Sequence, residues 1–496
     1  MSEKFYTNVA VIGNTILYRG VENGERIKEK VDFKPTLFLP SNKPTKYKTL
    51  DGQYCDKIKF ADIKEARDFV KQYTEVDGFK FFGNTRWVYV HLSDAFPNPI
   101  QFDQTKIVVA NIDIETAKEN GYGTPENPSE EITAITVKAH GRFYVFGCGV
   151  YENNREDVKY IKSRSEADML NRFLEFWEGL APDVVTGWNC QFYDIPYMVN
   201  RISRVLSDKD SRRMSPWGFL STRNANYKGK MHPVVELVGI STLDYIELYR
   251  KFQPKQESEK LNYVAYVELG EKKLDYSEYG DLHDLYKKNY QKFIDYNIKD
   301  VDLVDKLEQK LKLIDMSITL AFDAKVNFVD VFAQVRMWDA ITFDALRKKN
   351  IVVPQVQESR KDEQYAGGYV KEIRPGMYDW VLSFDLNSLY PMLIGQFNIS
   401  PEMLVPDKFI PGTFRKNSDS TYDISKMLNK QIDLSPLKEC NIGMAANGHC
   451  FSNERQGFIP EILMRMYEDR KVYKQKMIEA QKQLELVKQE LHRRGL

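Results

Sequence analysis

Residues 106–116, KIVVANIDIET, form a nearly continuous apolar, β-branched run that carries two carboxylates, Asp113 and Glu115. Such a run is what a strand buried on both faces looks like. Side chains alternate along a strand, so Asp113 and Glu115 point the same way. Two like charges on a buried strand repel and lose hydration unless a cation lies between them. The run therefore predicts a core strand with a divalent-ion site on one face.

Two further segments supply acids. DVVTGWN is a second apolar strand, followed by Asp194 at the start of a helix, IPYMVNRI, that begins with Pro. Asp194 at a strand end suits a site residue. Tyr296 and Asp300 stand four apart on a predicted helix and share one face. Four carboxylates from remote segments can hold two divalent ions for phosphodiester hydrolysis, with the Tyr296 hydroxyl orienting the attacking water. Singly these pieces are common; their joint order is specific.

With 496 residues the chain exceeds one ordinary core, so several domains are expected. Apolar residues at 42% can fill those cores, and charged residues at 29% solvate the surface, which excludes extended disorder. Lysine plus arginine equals aspartate plus glutamate at 71 each, a balance neutral about nucleic acid because an acidic metal site offsets a basic groove. Cys55, Cys148, Cys190, Cys440 and Cys450 form no CxxC pair and read as reduced thiols of a cytosolic protein. The N-terminus lacks a signal-peptide apolar region, no apolar run reaches membrane-spanning length, and no membrane partner is expected.

Up to about residue 100, NVAVIGN, ILYRGVENGERI and PTLFLP read as strands joined by Asn-Gly and Pro turns, and ADIKEARDFVKQYTEV as an amphipathic helix. ITAITVKAHGRFYVFGCGVY reads as a hairpin, SEADMLNRFLEFWEGL as a helix, and RNANYKGKMHP as a second hairpin. HDLYKKNYQKFIDYNIKDVDLVDKLEQKLKLIDM is helical, as is FVDVFAQVRMWDAITFDALRKKN. A boundary falls near residue 355, and a charged helix follows Pro460, with Gly495 as its C-cap. No internal repeat is present.

NIDIET, TGWNCQFYDIPY and YNIKD resemble, in order, the three exonuclease motifs of family B DNA polymerases, closest to the T-even bacteriophage branch. The resemblance implies an α/β and α+β multidomain chain: an N-terminal α+β domain over 1–103, with 313–355 returning to it; an RNase H-like 3′→5′ exonuclease domain over 104–312; a partial palm over 356–456; and the first fingers helix over 457–496. It assigns metal ligation to Asp113, Glu115, Asp194 and Asp300, water positioning to Tyr296, and places Asn189 and Phe192 along a frayed 3′ end. The family usually has Phe where this chain has Tyr193; the added hydroxyl is tolerated there if exposed.

VLSFDLNSLYP resembles the first palm motif. By that resemblance a strand VLSFDL ends at Asp385, which would hold both catalytic magnesium ions. Tyr390 would pack under the sugar of the incoming nucleotide, and the backbone of Leu386, Ser388 and Leu389 would touch its triphosphate. YAGGYVKE resembles the Tyr-x-Gly-Gly segment, so that Tyr365, Gly367 and Gly368 approach the template strand closely. Arg470 and Lys474, one helical turn apart, would bind triphosphate.

The implied ions are Mg2+, with Mn2+ as a substitute. Primer–template DNA and single-stranded 3′ ends are the implied partners, with deoxynucleoside triphosphates only in the complete enzyme. The second fingers helix, the Asp-Thr-Asp hairpin and the thumb are not found, so synthesis is expected to need a separate C-terminal polymerase polypeptide, which would also carry the sliding-clamp contact. The implied location is the cytoplasm of an infected bacterial host cell. The alternatives are a free-standing DEDD-type nuclease, which gives SFDLNSLYP no purpose, and a nucleic-acid-binding regulatory protein, for which the N-terminal module shows no RNP aromatic signature.

Overall fold

The computed structural model describes residues 4–119, 121, 123–227, 229–355, 368, 370–410, 414, 429–431, 433–445 and 448–495. They divide into two compact units: Met1–Thr36, Lys59–Asp77 and Thr85–Ile341 in the first, and Leu37–Ile58, Gly78–Asn84 and Thr342–Leu496 in the second.

The first unit opens with an antiparallel sheet, β1 (Lys4–Ile12), β2 (Thr15–Glu22) and β3 (Glu25–Val31), in the order β1-β2-β3. Asn23 and Gly24 both take positive φ, 55° and 81°, the pairing that a tight two-residue hairpin requires and that Asn-Gly supplies at least cost. β4 (Thr36–Pro40), β5 (Tyr47–Lys48) and β6 (Tyr54–Lys59) form a small sheet ordered β4-β6-β5, which belongs almost wholly to the second unit. Helix α1 (Ile63–Tyr73) starts where the sequence places it, with the Asp62 side chain accepting from the Glu65 amide at 2.8 Å. α2 (Trp87–Ala95) follows.

The nuclease-like sheet has six strands in the order β10-β9-β8-β7-β11-β14. β7 (Val109–Thr116) pairs antiparallel with β8 (Ile132–Ala139), and β8 with β9 (Arg142–Gly147). β10 (Val158–Lys162), a strand the sequence reading missed, adds in parallel to β9. After α3 (Glu166–Leu180), β11 (Val184–Thr186) inserts parallel to β7. α4 (Asp194–Val205), α5 (Asp208–Ser211) and the hairpin of β12 (Leu220–Tyr227) and β13 (Lys230–Leu237) lead to β14 (Ser241–Thr242), parallel to β11. Numbered from β7 and without β10, the order is 3-2-1-4-5, the arrangement of an RNase H-like sheet.

α6 (Tyr245–Phe252) and α7 (Leu261–Leu269) precede the segment expected to be one helical run. That run is broken into α8 (Leu282–Lys288), α9 (Tyr290–Leu311) and α10 (Leu313–Ala324). The breaks have local causes: Asn289 caps α9 through its side chain on the Lys292 amide at 3.0 Å, and Lys312 takes a left-handed φ of 55°. One sheet face packs Ile112, Ile114, Ile135 and Phe146 against Leu170, Phe173 and Trp177 of α3 and Ile195 and Met198 of α4. The other packs Ala134, Phe143 and Val145 against Leu285 of α8 and Phe293, Ile294 and Val301 of α9. The sheet therefore carries helices on both faces, and the Asp113–Glu115 face of β7, shared with Ala134, is the one that α9 covers.

The boundary between the units falls within α11 (Gln334–Lys348). In the second unit, residues 381–386 do not form the expected strand: Val381, Leu382, Phe384 and Leu386 are 71–89% exposed, and no strand pairs with them among the described residues. A strand needs a neighbour to satisfy its amides, and apolar alternation alone does not provide one. The unit continues through α12 (Leu389–Gln396) and ends in the helix Phe458–Arg493, with Gly495 just beyond at φ 73°. Among the described residues no helix is long and apolar enough to cross a membrane.

Candidate active site

Asp113, Glu115 and Asp300 each offer a carboxylate oxygen, and those atoms all lie within 4.8 Å of one another. β7 delivers the first two on one face, and α9 lays Asp300 across them. Asp194, at the first turn of α4, adjoins the group and is held by the Ile114 amide, which donates to its Oδ1 at 3.0 Å. Asp194 and Asp300 are each 4% exposed and Tyr296 is 7%. The four predicted acids and Tyr296 thus converge.

Three side chains to which the sequence reading gave no role support the site. Lys273 donates from Nζ to Asp300 Oδ2 and, at 3.2 Å, to the Tyr296 hydroxyl. The fully buried Asn297 donates from Nδ2 to Asp113 Oδ2 at 2.7 Å and accepts from the Thr136 hydroxyl. Asn297 is three residues before Asp300, so helical spacing already put it on the same face. Lys273, in EKKLDY, carried no sequence signal. The third, Asp244, caps α6 and receives the backbone amides of Asn189, Gln191 and Ile246 at 3.0, 2.9 and 3.2 Å.

The electrostatics follow from the crowding. Burial, then Asp194, Glu115 and Asp300, raise the Asp113 carboxyl above its ordinary range. Burial, with Asp300 next, pushes Glu115 up to about 8, and burial pushes Asp194 up to about 7 against the pull of the Ile114 amide. Asp300 is raised by burial, with Lys273 opposing. Burial works against the Lys273 ammonium, but Asp300 and then Tyr296 outweigh it and its pKa is raised. Burial, with a smaller push from Glu247, raises Asp244 to about 7 against its three amide donors. Negative charge exceeds positive in this pocket, and Asp300 Oδ1 is buried with no hydrogen-bond partner. An orphaned carboxylate oxygen amid further acids fits a divalent cation held by oxygen ligands.

Asn189 takes a left-handed φ of 69°, and its Oδ1 is also buried without a partner. Phe192 stands edge-on to His232, centroids 6.3 Å apart. The Tyr193 hydroxyl, which exposure would have made tolerable, is partly buried and shares a 3.3 Å hydrogen bond with Thr116 Oγ1 on β7. A partner, not solvent, accommodates the extra oxygen.

In the second unit Asp385 and Tyr390 are exposed, Tyr390 at 74%, as are Leu386 and Leu389. Arg470 Nη1 donates to Ser388 Oγ at 3.3 Å, so two predicted triphosphate contacts lie together, and Lys474 is exposed one turn beyond. Gly368 is exposed, whereas Tyr365 and Gly367 fall outside the described residues.

The chain matches the family model "DNA polymerase family B, exonuclease domain" over residues 87–264 and "DNA polymerase family B" over residues 332–492. It is 32% identical to the DNA-directed DNA polymerase of Escherichia phage RB69, over 100% of this chain and 56% of that protein. It is 30% identical to the DNA-directed DNA polymerase of Enterobacteria phage T4, over 98% of this chain and 55% of the other. The DNA polymerase of Paramecium bursaria Chlorella virus NY2A is 27% identical over 76% of this chain and 42% of its own length. The chain spans about half the length of the two phage relatives.

Proposed function

The chain belongs to DNA polymerase family B, and from that we propose that its first unit removes nucleotides from single-stranded 3′ ends of DNA, while its second carries the first palm motif of a polymerase site. The observation that carries the nuclease reading is the convergence of Asp113, Glu115 and Asp300 within 4.8 Å, with Asp194 beside them.

These four carboxylates would hold the divalent cations, which we take to be Mg2+, with Mn2+ able to replace it. Bound there, the cations would supply Lewis-acid activation of water and charge stabilisation for the departing 3′ oxygen. The chain's own groups do the rest. Lys273 is a permanent ammonium that offsets part of the acidic charge as the phosphate enters. Because Lys273 donates to the Tyr296 oxygen, the Tyr296 proton points to an acceptor, Asp300 in the free protein and the attacking water when substrate is bound. Asn297 fixes Asp113 by its 2.7 Å bond. Asn189 and Phe192 are the proposed contacts to the frayed strand.

For synthesis, Asp385, Tyr390, Leu386, Ser388, Leu389, Arg470 and Lys474 would bind metal and incoming nucleotide, and Tyr365, Gly367 and Gly368 the template. Asp385 is the only palm carboxylate the motifs assign, and phosphoryl transfer rests on positioning and charge stabilisation by more than one. We place nucleotide addition in an assembly with further polymerase sequence, which would also carry the sliding-clamp contact.

The test is release of mononucleotides from a 3′-labelled single-stranded oligonucleotide by the 496-residue chain. Activity is expected with Mg2+, and Asp113→Ala with Glu115→Ala should abolish it; undiminished release by that double variant would refute the site. On primer–template with deoxynucleoside triphosphates, extension is expected only when the remaining polymerase sequence is supplied.

A further inference from the structure

Asp244 is fully buried and caps α6, where one carboxylate oxygen on the Ile246 amide would suffice. The carboxylate does more than cap. Its Oδ1 also accepts from the Asn189 amide and its Oδ2 from the Gln191 amide, on a segment more than fifty residues earlier. Neighbouring bonds tie the same two segments together: Leu243 N to Val185 O at 2.8 Å, Tyr245 N to Gly187 O at 2.9 Å, and Thr186 Oγ1 to Leu243 O at 2.6 Å. On the other side the loop is pressed against β7. A side chain at Gly187 would bring Cβ to 2.4 Å from the Ile112 carbonyl, one residue from Asp113.

The loop at 187–191 is thus wedged between the strand bearing the acids and the segment bearing Asp244. At its apex Asn189 is held at φ 69°, in the left-handed region that Asn tolerates better than most non-glycine residues. The enforced geometry leaves Asn189 Oδ1 buried with no donor. Asn189 and Lys273 both line a cavity of about 760 Å3, and the Lys273 ammonium is bonded to Asp300. Asn189, whose Oδ1 has no donor, therefore lines a cavity that reaches the acidic centre only through Lys273, the ammonium bonded to Asp300.

We propose that Asp244 is a positioning residue for the nuclease: it never meets substrate, and by fixing the 187–191 backbone it holds the Asn189 carboxamide oxygen where an N–H or O–H of the bound 3′-terminal nucleotide donates to it. This rests on the nuclease reading above. Asp244→Asn keeps size and one acceptor but turns a donor toward amides that are themselves donors.

The experiment uses the full chain and two readouts. Affinity for a fluorescent single-stranded oligonucleotide is measured by anisotropy in Ca2+, and protection of the 187–191 amides by hydrogen exchange. Asp244→Asn should lower protection at Asn189 and Gln191 and weaken binding roughly tenfold, as Asn189→Ala should alone. Residues acting through one another are not additive, so the double variant should bind no more weakly than Asn189→Ala. In Mg2+ the Asp244→Asn loss should fall on KM, with kcat within about twofold. Unchanged amide protection, additive binding losses, or a kcat loss with KM unchanged would each overturn the proposal. Failure of the nuclease reading would show separately, as no Mg2+-dependent release by the unaltered chain, with the binding and exchange comparisons still decisive for Asp244.

Discussion

Lys273 places its ammonium on Asp300 Oδ2 beside a group of four carboxylates, and the same ammonium also donates to the Tyr296 hydroxyl. A buried ion pair of this kind gains little against apolar packing, but removing one partner strands the other. The Lys273 side chain is 28% exposed and Asp300 5%, so the stranded charge is the costly one.

Lys273→Ala should therefore destabilise the metal-free chain by about 2–3 kcal/mol, below the full buried-pair value because solvent reaches Lys273. Saturating Mg2+ should shrink the loss, since the ion replaces the missing positive charge. Urea unfolding of the first unit with and without Mg2+ measures both; an equal loss in the two conditions would contradict the electrostatic account.

The acids give a pH dependence of defined sign. Glu115 is raised from 4.5 to about 8 and Asp194 from 3.8 to about 7. A carboxyl with a raised folded-state pKa binds more protons folded than unfolded between those values. Stability of the metal-free chain should then fall as pH rises from about 4 to about 8, and Mg2+ should remove most of the fall. Thermal unfolding across that range tests this, and a metal-free Tm that rises with pH would oppose it.

Asn297 offers a separate handle on Asp113. Asn297→Ala removes the 2.7 Å donor and leaves the Thr136 hydroxyl without its acceptor. Losing a group that orients a metal ligand typically costs ten- to a hundredfold in metal affinity or activity. Titration of Mn2+ into the full chain should show a loss of about that size, while Thr136→Val, which keeps the Asn297–Asp113 bond, should show much less.

These groups mark how far the sequence could be read. Asp113 and Glu115 were legible because strand periodicity fixes their side, and Asp300 and Tyr296 because helical spacing does. Lys273 was not, since a lysine in a loop announces no partner until the chain is folded. Asp244 carried no reading either, because only the fold brings Asn189 to its carboxylate. The strand expected at VLSFDL fails for the converse reason: local pattern specifies a strand's faces, whereas its hydrogen bonds come from a neighbour that the pattern does not name.

Asp183 tests the fold apart from the chemistry. Its carboxylate, 2% exposed, takes one side chain from each strand of the first sheet: Thr7 of β1 at 2.9 Å, Arg19 of β2 at 3.1 Å and Arg26 of β3 at 2.9 Å. It also accepts the Val108 amide at 3.0 Å, just before β7. One acid thereby fastens the N-terminal sheet to the start of the nuclease sheet. Asp183→Ala leaves the buried Arg19 guanidinium without its counter-charge, which should cost about 3–5 kcal/mol. Asp183→Asn, retaining an acceptor, should cost less. Because Asp183 is remote in role from the acidic centre, Mg2+ should rescue neither variant, whereas it should rescue Lys273→Ala. Unfolding curves of the three variants with and without Mg2+ decide the point, and rescue of Asp183→Ala by the ion would show that the two clusters are one coupled unit.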